Sequence, residues 1–126
     1  MTAIETMQET KEMAMELNTE LANFYCTMAY PVSELYDIAI KEGWDLPKEW
    51  HGYSQHSYET IPLPTKYISA RGVLKFRDEA FCKYFKNAAY MMEGKFGKEV
   101  KEHIQEMTKT RLKRKILETG RYPFSE

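Results

Sequence analysis

The spacing of apolar residues changes twice along the first 43 positions, and each change predicts a different element. Across residues 2–17 the apolar side chains fall on one helical face, which predicts an amphipathic helix. Across residues 21–30 both alternating faces are largely apolar or aromatic, as in a β-strand that is covered on both sides. Pro31 ends this strand, and a second helix is predicted between Ser33 as its N-cap and Gly43 as its stop.

Residues 44–66 interrupt this regular pattern. They are rich in Trp, Tyr, Pro and His, and Pro47, Pro62 and Pro64 would break any helix placed there. A connection of this length is uncommon inside a compact domain and is often functional. We therefore predict a long Pro- and aromatic-rich loop between an N-terminal and a C-terminal part.

The remaining residues, 67–126, return to helical spacing. Three helices are predicted there, from Ser69 to about Phe85, from Asn87 to Gly94 and from about Lys98 to Glu118. The predicted fold class is therefore mainly α with one short β-strand (α+β). Its three parts are a helix–strand–helix unit, a connecting loop and a helical C-terminal extension, at residues 1–43, 44–66 and 67–126.

The predicted strand at 21–30 raises a problem of hydrogen bonding. A single strand cannot pair its own backbone N–H and C=O groups, and an unpaired edge invites another chain. Unless the loop holds a second strand, the partner must come from outside this chain. The sequence therefore predicts either a missing part of a larger protein or self-association through residues 21–30.

Composition narrows the class of protein without deciding its function. The chain is 43% hydrophobic and 29% charged, which is typical of a globular domain. A net charge of −1 gives no general attraction to nucleic acid or to an anionic membrane. No apolar run approaches the ~18 residues of a membrane-spanning helix, and the acidic N-terminus is unlike a signal peptide. Cys26 and Cys82 lie far apart in the sequence, which suits a reducing compartment, so a cytoplasmic location is expected.

The loop contains the most chemically diverse stretch of the chain, from His51 to Tyr58. Histidine titrates near neutral pH and acts as an acid, a base or a ligand, while Ser, Gln and Tyr add hydrogen-bond donors and acceptors. His56 is the first candidate for a functional side chain, with His51 and Gln55 beside it. The alternative is a well hydrogen-bonded connection between two structural parts.

Two other groups of residues have a simpler interpretation. No pair among the cysteines and histidines has the spacing of a metal motif, so no metal site is predicted from Cys26, Cys82, His51, His56 and His103. The last predicted helix carries a group of cations near its end, where the helix dipole favours positive charge, so nucleic-acid binding is not expected. These cations are Lys109, Arg111, Lys113, Arg114 and Lys115. Arg77 and Asp78 are predicted to make structural contacts, as a salt bridge or at a helix end.

The stretch ANFYCTMAYPVSELYDIAIKEGW resembles the last strand and following helix of the radical S-adenosylmethionine (SAM) partial barrel. The similar group is the cobalamin-dependent kind related to the anaerobic magnesium-protoporphyrin IX monomethyl ester cyclase. In that group Tyr-Pro-Gly-Ser or Tyr-Pro-Gly-Thr leads into a helix that begins Leu-Tyr. Val32 stands where the group has Gly, which would strain or reshape a tight turn. The matching residues are Tyr30, Pro31, Ser33, Leu35 and Tyr36.

The C-terminal part resembles the helical extension of the same group. The resemblance rests on the pieces Tyr-Ser-Gln-His, Pro-Leu-Pro-Thr, Phe-Arg-Asp-Glu-Ala-Phe and Lys-Phe-Gly. It covers nearly the whole chain, and its signatures are structural rather than catalytic.

The resemblance implies part of a barrel wall and a cover for the active site of a larger enzyme. That family holds a four-iron four-sulfur cluster on three cysteines, usually CxxxCxxC, and the cluster binds SAM. This chain has neither that motif nor a recognisable cobalamin-binding module, so SAM, the cluster and cobalamin would be held by the remainder of the enzyme. No catalytic residue and no cofactor are predicted in this chain. The residues implied to line the substrate or cofactor pocket of the intact enzyme are Tyr25, Cys26, Met28, His51, Gln55 and His56.

Alternatives remain open at this point. Residues 25–28 would make ordinary packing contacts, and Cys26 in particular would be a small buried hydrophobe. The whole chain would instead be an independent, non-catalytic helical module that associates through its exposed strand. A nucleic-acid-binding basic helix is disfavoured, because the same predicted helix carries four glutamates: Glu99, Glu102, Glu106 and Glu118.

Overall fold

The computed structural model describes residues 3–17, 19 and 21–118. These residues are all-α, with five α-helices and one short 3₁₀ turn. The helices are α1 (Ala3–Leu17), α2 (Glu34–Glu42), α3 (Ala70–Phe96), α4 (Lys98–Lys109) and α5 (Lys115–Glu118), and the 3₁₀ turn is Trp50–Tyr53. Within the described residues, no helix combines the length and the apolar character needed to cross a membrane.

The predicted ends of α2 are confirmed. The Ser33 hydroxyl accepts a hydrogen bond from the Tyr36 N–H at 3.2 Å, as an N-cap does. At the other end Gly43 is left-handed, with φ 71°, and its N–H bonds to the Ile40 carbonyl oxygen while the N–H of the following residue reaches Ala39. This pair of bonds is a Schellman motif, which explains why glycine ends the helix.

The predicted break in the long C-terminal helix was wrong. Ser69 does begin α3, since its hydroxyl accepts from the Gly72 N–H at 3.1 Å. The helix then runs without interruption to Phe96, through the position where Asn87 was expected to start a new one. The reason is that the apolar stripe does not pause. It is formed by the buried residues Tyr84, Phe85, Ala88, Ala89 and Met92, and their packing outweighs the weak helix propensity of asparagine.

The prediction of one continuous last helix from about Lys98 to Glu118 was also wrong. α4 ends at Lys109, and residues 111–114 are not helical before the short α5. Arg114 is 1% exposed and bonds to loop carbonyl oxygens, which a solvent-facing cation on a continuous helix would not do. The helix-dipole explanation therefore does not apply to this residue.

The β-strand predicted at residues 21–30 is not formed, and the described residues contain no β-strand. The expected cover on both faces was also wrong in part, because Cys26 and Met28 are buried whereas Tyr25 and Thr27 are exposed. Among the described residues, no strand lies on either side of this segment to form a sheet with it. Instead, as described below, a side-chain amide and a single backbone group of the loop take the place of neighbouring strands.

Two compact units divide the described residues. Unit 1 comprises those within 1–24 and 78–111, and unit 2 those within 25–77 and 112–126. The core of unit 1 consists of Tyr84, Phe85, Ala88, Ala89, Met92 and Ile104. The Phe24 ring meets the Tyr84 ring edge-on, with 5.7 Å between centroids, and the Tyr84 hydroxyl donates to the Thr19 carbonyl oxygen.

Unit 2 contains two small core clusters. In one, Cys26 and Met28 pack with Leu74 of α3, which is 0% exposed. The other contains Ala29, Ala39 and Leu63. The segment 25–30 takes part in both clusters, so its side chains anchor it between α3 and α2 with no sheet.

Candidate functional site

The side chain of Gln55 pairs with the backbone of Cys26 at both ends of its carboxamide. The Cys26 N–H donates to Gln55 Oε1 at 2.8 Å, and Gln55 Nε2 donates to the Cys26 carbonyl oxygen at 2.9 Å. Two residues directly opposite each other in an antiparallel sheet exchange the same two kinds of bond. Gln55 thus supplies, with a side chain, what an adjacent strand would supply with its backbone.

A second bond from the loop reaches the neighbouring residue of the same segment. The Leu63 N–H donates to the Thr27 carbonyl oxygen at 2.9 Å. In an extended chain the backbone groups of successive residues point to opposite edges. Gln55 and Leu63 therefore cover the two edges of the segment at adjacent positions.

Arg114 holds the loop that presents Gln55. Its Nη2 donates to the Gln55 carbonyl oxygen at 2.7 Å, and its Nη1 donates to the Ser57 carbonyl oxygen at 2.9 Å and to the Thr60 hydroxyl at 3.1 Å. Thr60 is 0% exposed, and its hydroxyl lies 2.5 Å from the Ser54 carbonyl oxygen. A guanidinium with several well-placed acceptors is a stable way to bury a charge, so residues 54–60 form a closed, internally bonded loop.

Gly52 is required where this loop begins. A Cβ at this position would lie 2.5 Å from the Pro47 Cβ and 3.2 Å from the Glu59 carbonyl oxygen. Real Cβ atoms do not approach so closely, and a proline ring has little freedom to move away. Glycine therefore allows the chain to pass between Pro47 and Glu59 and return toward residue 61, whose N–H reaches the Gly52 carbonyl oxygen at 3.4 Å.

His56 lies at the exposed surface of the closed loop. Its Nε2 is 3.0 Å from Nη2 of Arg77, a side chain that is only 5% exposed. A guanidinium is only a donor, so Nε2 must accept and the imidazole is assigned as neutral, with its proton on Nδ1. Arg77, expected from the sequence to be structural, thus fixes the tautomer of the first candidate residue.

His51 has a different environment, between two carboxylates. Its Nε2 bonds to Oε2 of Glu59, and its Nδ1 lies 3.5 Å from Oε2 of Glu49. The hydrogen bond from His51 lowers the pKa of the Glu59 carboxyl, and the charges of His51 and Lys115 act in the same direction. The side chains of His51 and Glu59 are 52% and 43% exposed, so solvent screens this pair.

The residues predicted to line a pocket thus separate into two groups. Cys26 and Met28 are buried in the core cluster with Leu74, as the packing alternative expects. Tyr25, His51 and His56 are exposed. Gln55 is half-buried and is brought onto the backbone of Cys26, so its carboxamide is committed to holding the segment in place.

The turn after the segment carries the backbone strain that we expected with Val32 at its corner. The Ser33 N–H bonds to the Tyr30 carbonyl oxygen at 3.1 Å, with Pro31 and Val32 at the corners. Val32 has φ 74°, a left-handed value that a type II turn requires at this position and that glycine normally supplies. Its side chain is 98% exposed, so no packing contact compensates for the strain.

Apolar side chains surround this turn on the surface. The Tyr53 ring lies 5.9 Å from that of Tyr30 and 6.3 Å from that of Trp50, which is 79% exposed. On α2, only Ala39 is buried. Three aliphatic side chains of the same helix are exposed, namely Leu35 at 41%, Ile38 at 45% and Ile40 at 59%.

The described residues provide no set of ligands for a metal ion or for an iron–sulfur cluster. No group of three or more His, Cys, Asp or Glu side chains is arranged to hold a metal within the residues that the structure describes. The chain has two cysteines, and Cys26 and Cys82 belong to different units. A four-iron four-sulfur cluster of the radical SAM kind needs three thiolates, so this chain by itself does not fit that cofactor.

Sequence reasoning missed the roles of the two residues that organise the site. Arg114 was taken for one of a group of cations that the dipole of the last helix favours, and nothing in a single sequence distinguishes it from Lys113 or Lys115. Gln55 was recognised as a candidate, but its pairing with Cys26 was not, because this contact joins residues 29 positions apart. The run of small polar residues around Ser54 and Ser57 was the available signal of a tightly bonded loop.

Comparisons with known proteins leave the family undetermined. No protein-family model matches the chain, and neither the curated proteins nor the solved structures contain a significant match.

Proposed function

We propose that this chain is the C-terminal part of a radical SAM enzyme, in which it walls and covers the active site without generating the radical. The sequence resemblance over nearly the whole chain is the source of this proposal. The cysteine count supports the division of labour, because two cysteines do not provide the ligands of the cluster. The cluster, SAM and cobalamin would then be bound by the remainder of the enzyme.

The observation that carries the proposal is the surface of α2. A helix that is apolar on several faces is normally buried inside a larger protein. Leu35, Ile38 and Ile40 are all exposed, while the same helix packs on unit 2 through Ala39. In a βα barrel such a helix contacts neighbouring elements on either side, so these residues would be covered by the body of the enzyme.

The loop around His56 would form the cover over the substrate. Arg114 and Gln55 bond it on its inner side, which suits a preformed wall. Tyr25, His51 and His56 expose their side chains and would meet the substrate. In this proposal Gln55 is a positioning residue, and Cys26 and Met28 support the wall from behind.

A reconstitution experiment with a genetic component tests the proposal. The reading frame just upstream of Met1 should encode CxxxCxxC, and the polypeptide that it encodes should co-purify with this chain. Replacing Leu35 and Ile38 by Glu should abolish co-purification, whereas replacing Leu112, which is exposed and is not part of α2, by Glu should leave it unchanged. An upstream frame without the motif, or co-purification that is indifferent to the α2 change, would contradict the proposal.

An independent module that associates with itself is the second candidate function. The exposed apolar residues on α2 and around Val32 favour association in general. Pairing through residues 21–30 is less favoured, since Gln55 and Leu63 already cover both edges at its centre. Light scattering over a range of concentrations separates the two candidates: the module should dimerise alone, whereas the enzyme part should bind its partner and not itself.

A further inference from the structure

Arg71 lies in the first turn of α3, and its half-buried side chain carries two buried nitrogen atoms that have no hydrogen-bond acceptor among the described residues. Its Nε and Nη1 are buried, and among the described residues neither atom finds a hydrogen-bond partner. A buried charged donor without an acceptor is strongly unfavourable, so native structures rarely keep one without a reason. Among the described residues, Arg71 is where buried side-chain nitrogen or oxygen atoms without a hydrogen-bond partner are found.

The local charge makes this position less favourable still. From residue 64 to residue 77 the sequence carries Lys66, Arg71, Lys75 and Arg77 and no acidic residue. Lys75 follows Arg71 by four positions on the same helix, which brings two like charges to one face. The helix dipole is also positive at this end, where it disfavours cations and attracts anions.

The geometry of a guanidinium indicates how an anion would be held. Its Nε–H and one N–H of Nη2 point in the same direction and match the two oxygens of a carboxylate or two oxygens of a phosphate. An oxyanion held in this fork would accept from the Nε–H, which has no acceptor among the described residues, and from an N–H of Nη2.

We infer that Arg71 is the anchor of a binding site for a small oxyanion, a carboxylate or a phosphate, at the N-terminal end of α3. The buried donors are the observation that points to a ligand, and the excess of positive charge explains why the ligand is an anion. The site lies within unit 2 and does not depend on the proposed function, because it can be tested on the chain alone.

The test measures anion-dependent stability of the full chain. Unfolding in urea is followed with added sodium acetate, sodium phosphate or sodium chloride at matched ionic strength. An anion present at ten times its Kd should shift the unfolding equilibrium of the natural chain about tenfold toward the folded state. Chloride should have a much smaller effect, and the difference between acetate and phosphate identifies the preferred oxyanion.

Three variants make the result specific to Arg71. Arg71→Met should abolish the response to acetate and phosphate and should itself stabilise the chain in chloride, because it removes the unsatisfied donors. Arg71→Lys should lose most of the response, since an ammonium lacks the fork. Lys113→Met removes an exposed positive charge elsewhere in unit 2 and should leave the response intact.

Nuclear magnetic resonance provides a readout that a purely structural role would not move. The Nε–Hε signal of Arg71 should shift on addition of the preferred anion and saturate at the concentration that stabilises the chain. The inference is overturned if Arg71→Met responds to acetate and phosphate as the natural chain does, if chloride acts as strongly as they do, or if Arg71→Lys keeps the full response.

Discussion

Arg114 and Arg71 belong to the same unit, and the guanidinium group of each has buried nitrogen atoms. Among the described residues, those of Arg114 have hydrogen-bond acceptors and the buried ones of Arg71 do not. Arg114 donates to the carbonyl oxygens of Gln55 and Ser57 and to the Thr60 hydroxyl, and it is 1% exposed. Arg71 encloses Nε and Nη1 with no acceptor among the described residues. The difference shows that burial alone does not give an arginine its role. The acceptors decide whether the buried donors stabilise the fold, and the donors of Arg71, which lack them, are those that we propose to bind an anion.

Removal of each side chain should separate these roles by the sign of the effect. Arg114→Met should lower the free energy of unfolding by about 3 kcal/mol, since it leaves three acceptors without their donor at roughly 1 kcal/mol or more each. Arg71→Met should raise it by about 1–2 kcal/mol in the absence of a bound anion. Urea denaturation with Lys113→Met as the control measures both. The comparison fails if both variants are destabilised equally.

The pairing of Gln55 with Cys26 extends the role of Arg114 into the segment 25–30. Gln55→Leu should cost about 2 kcal/mol, because it leaves a backbone N–H and a C=O unpaired beside the core. Hydrogen exchange at the Cys26 amide should quicken sharply, while Gln8→Leu, at an exposed position of α1, should change neither quantity. If the Gln55→Leu variant dimerises and exchange at the Cys26 amide is slow in the dimer, the Gln55 carboxamide prevents strand pairing in the natural chain. Unchanged exchange at Cys26 would contradict the assigned bonds.

Replacing Val32 should give a smaller stabilisation, which comes from the backbone alone. Val32→Gly should raise the free energy of unfolding by about 1 kcal/mol, since relief of the left-handed strain exceeds the entropy lost by fixing glycine. Val32→Ala removes the β-branch but keeps a Cβ, so it should gain less than glycine does. Thermal unfolding distinguishes the two variants. A loss of stability in Val32→Gly would show that the exposed side chain makes a contact that offsets its strain.

The weakest expected effect concerns the exposed pair of His51 and Glu59. The pKa of the Glu59 carboxyl is lowered in the folded chain from its ordinary value near 4.5. Its contribution to stability is therefore present above that value and is lost as the pH falls through the lowered pKa. Glu59→Gln should therefore lower stability slightly at neutral pH and leave it unchanged below the lowered pKa, so that the variant loses less stability on acidification. Urea titrations at a series of pH values down to the acid transition measure the difference, and an identical pH profile would contradict the assignment.

Local chemistry in the sequence was sufficient to predict the ends of α2 and the start of α3. Ser33, Gly43 and Ser69 act on groups within a few residues of themselves, so their roles depend on little else. Asn87 did not end α3, because the apolar stripe around it packs against the core of unit 1. Its weak helix propensity is a smaller effect than that packing.

The site was less predictable than the helices, because its contacts join distant parts of the chain. The alternation in residues 21–30 predicted cover on both faces, whereas Tyr25 and Thr27 are exposed, and it could not say whether another strand would be available for pairing. Gln55 and Leu63 supply the bonds instead. The orphaned donors of Arg71 and the satisfied ones of Arg114 look the same in a sequence, since both are arginines in basic segments.

Anaerobic reconstitution with iron, sulfide and SAM tests most directly whether this chain is the non-radical-generating part of a radical SAM enzyme. It should be performed on the chain alone and on the chain co-purified with the polypeptide encoded just upstream. We predict visible iron–sulfur absorbance and release of 5′-deoxyadenosine from the complex, and neither from the chain alone. A stable cluster with SAM cleavage in the isolated chain, or a complex that forms no cluster, would contradict the proposal.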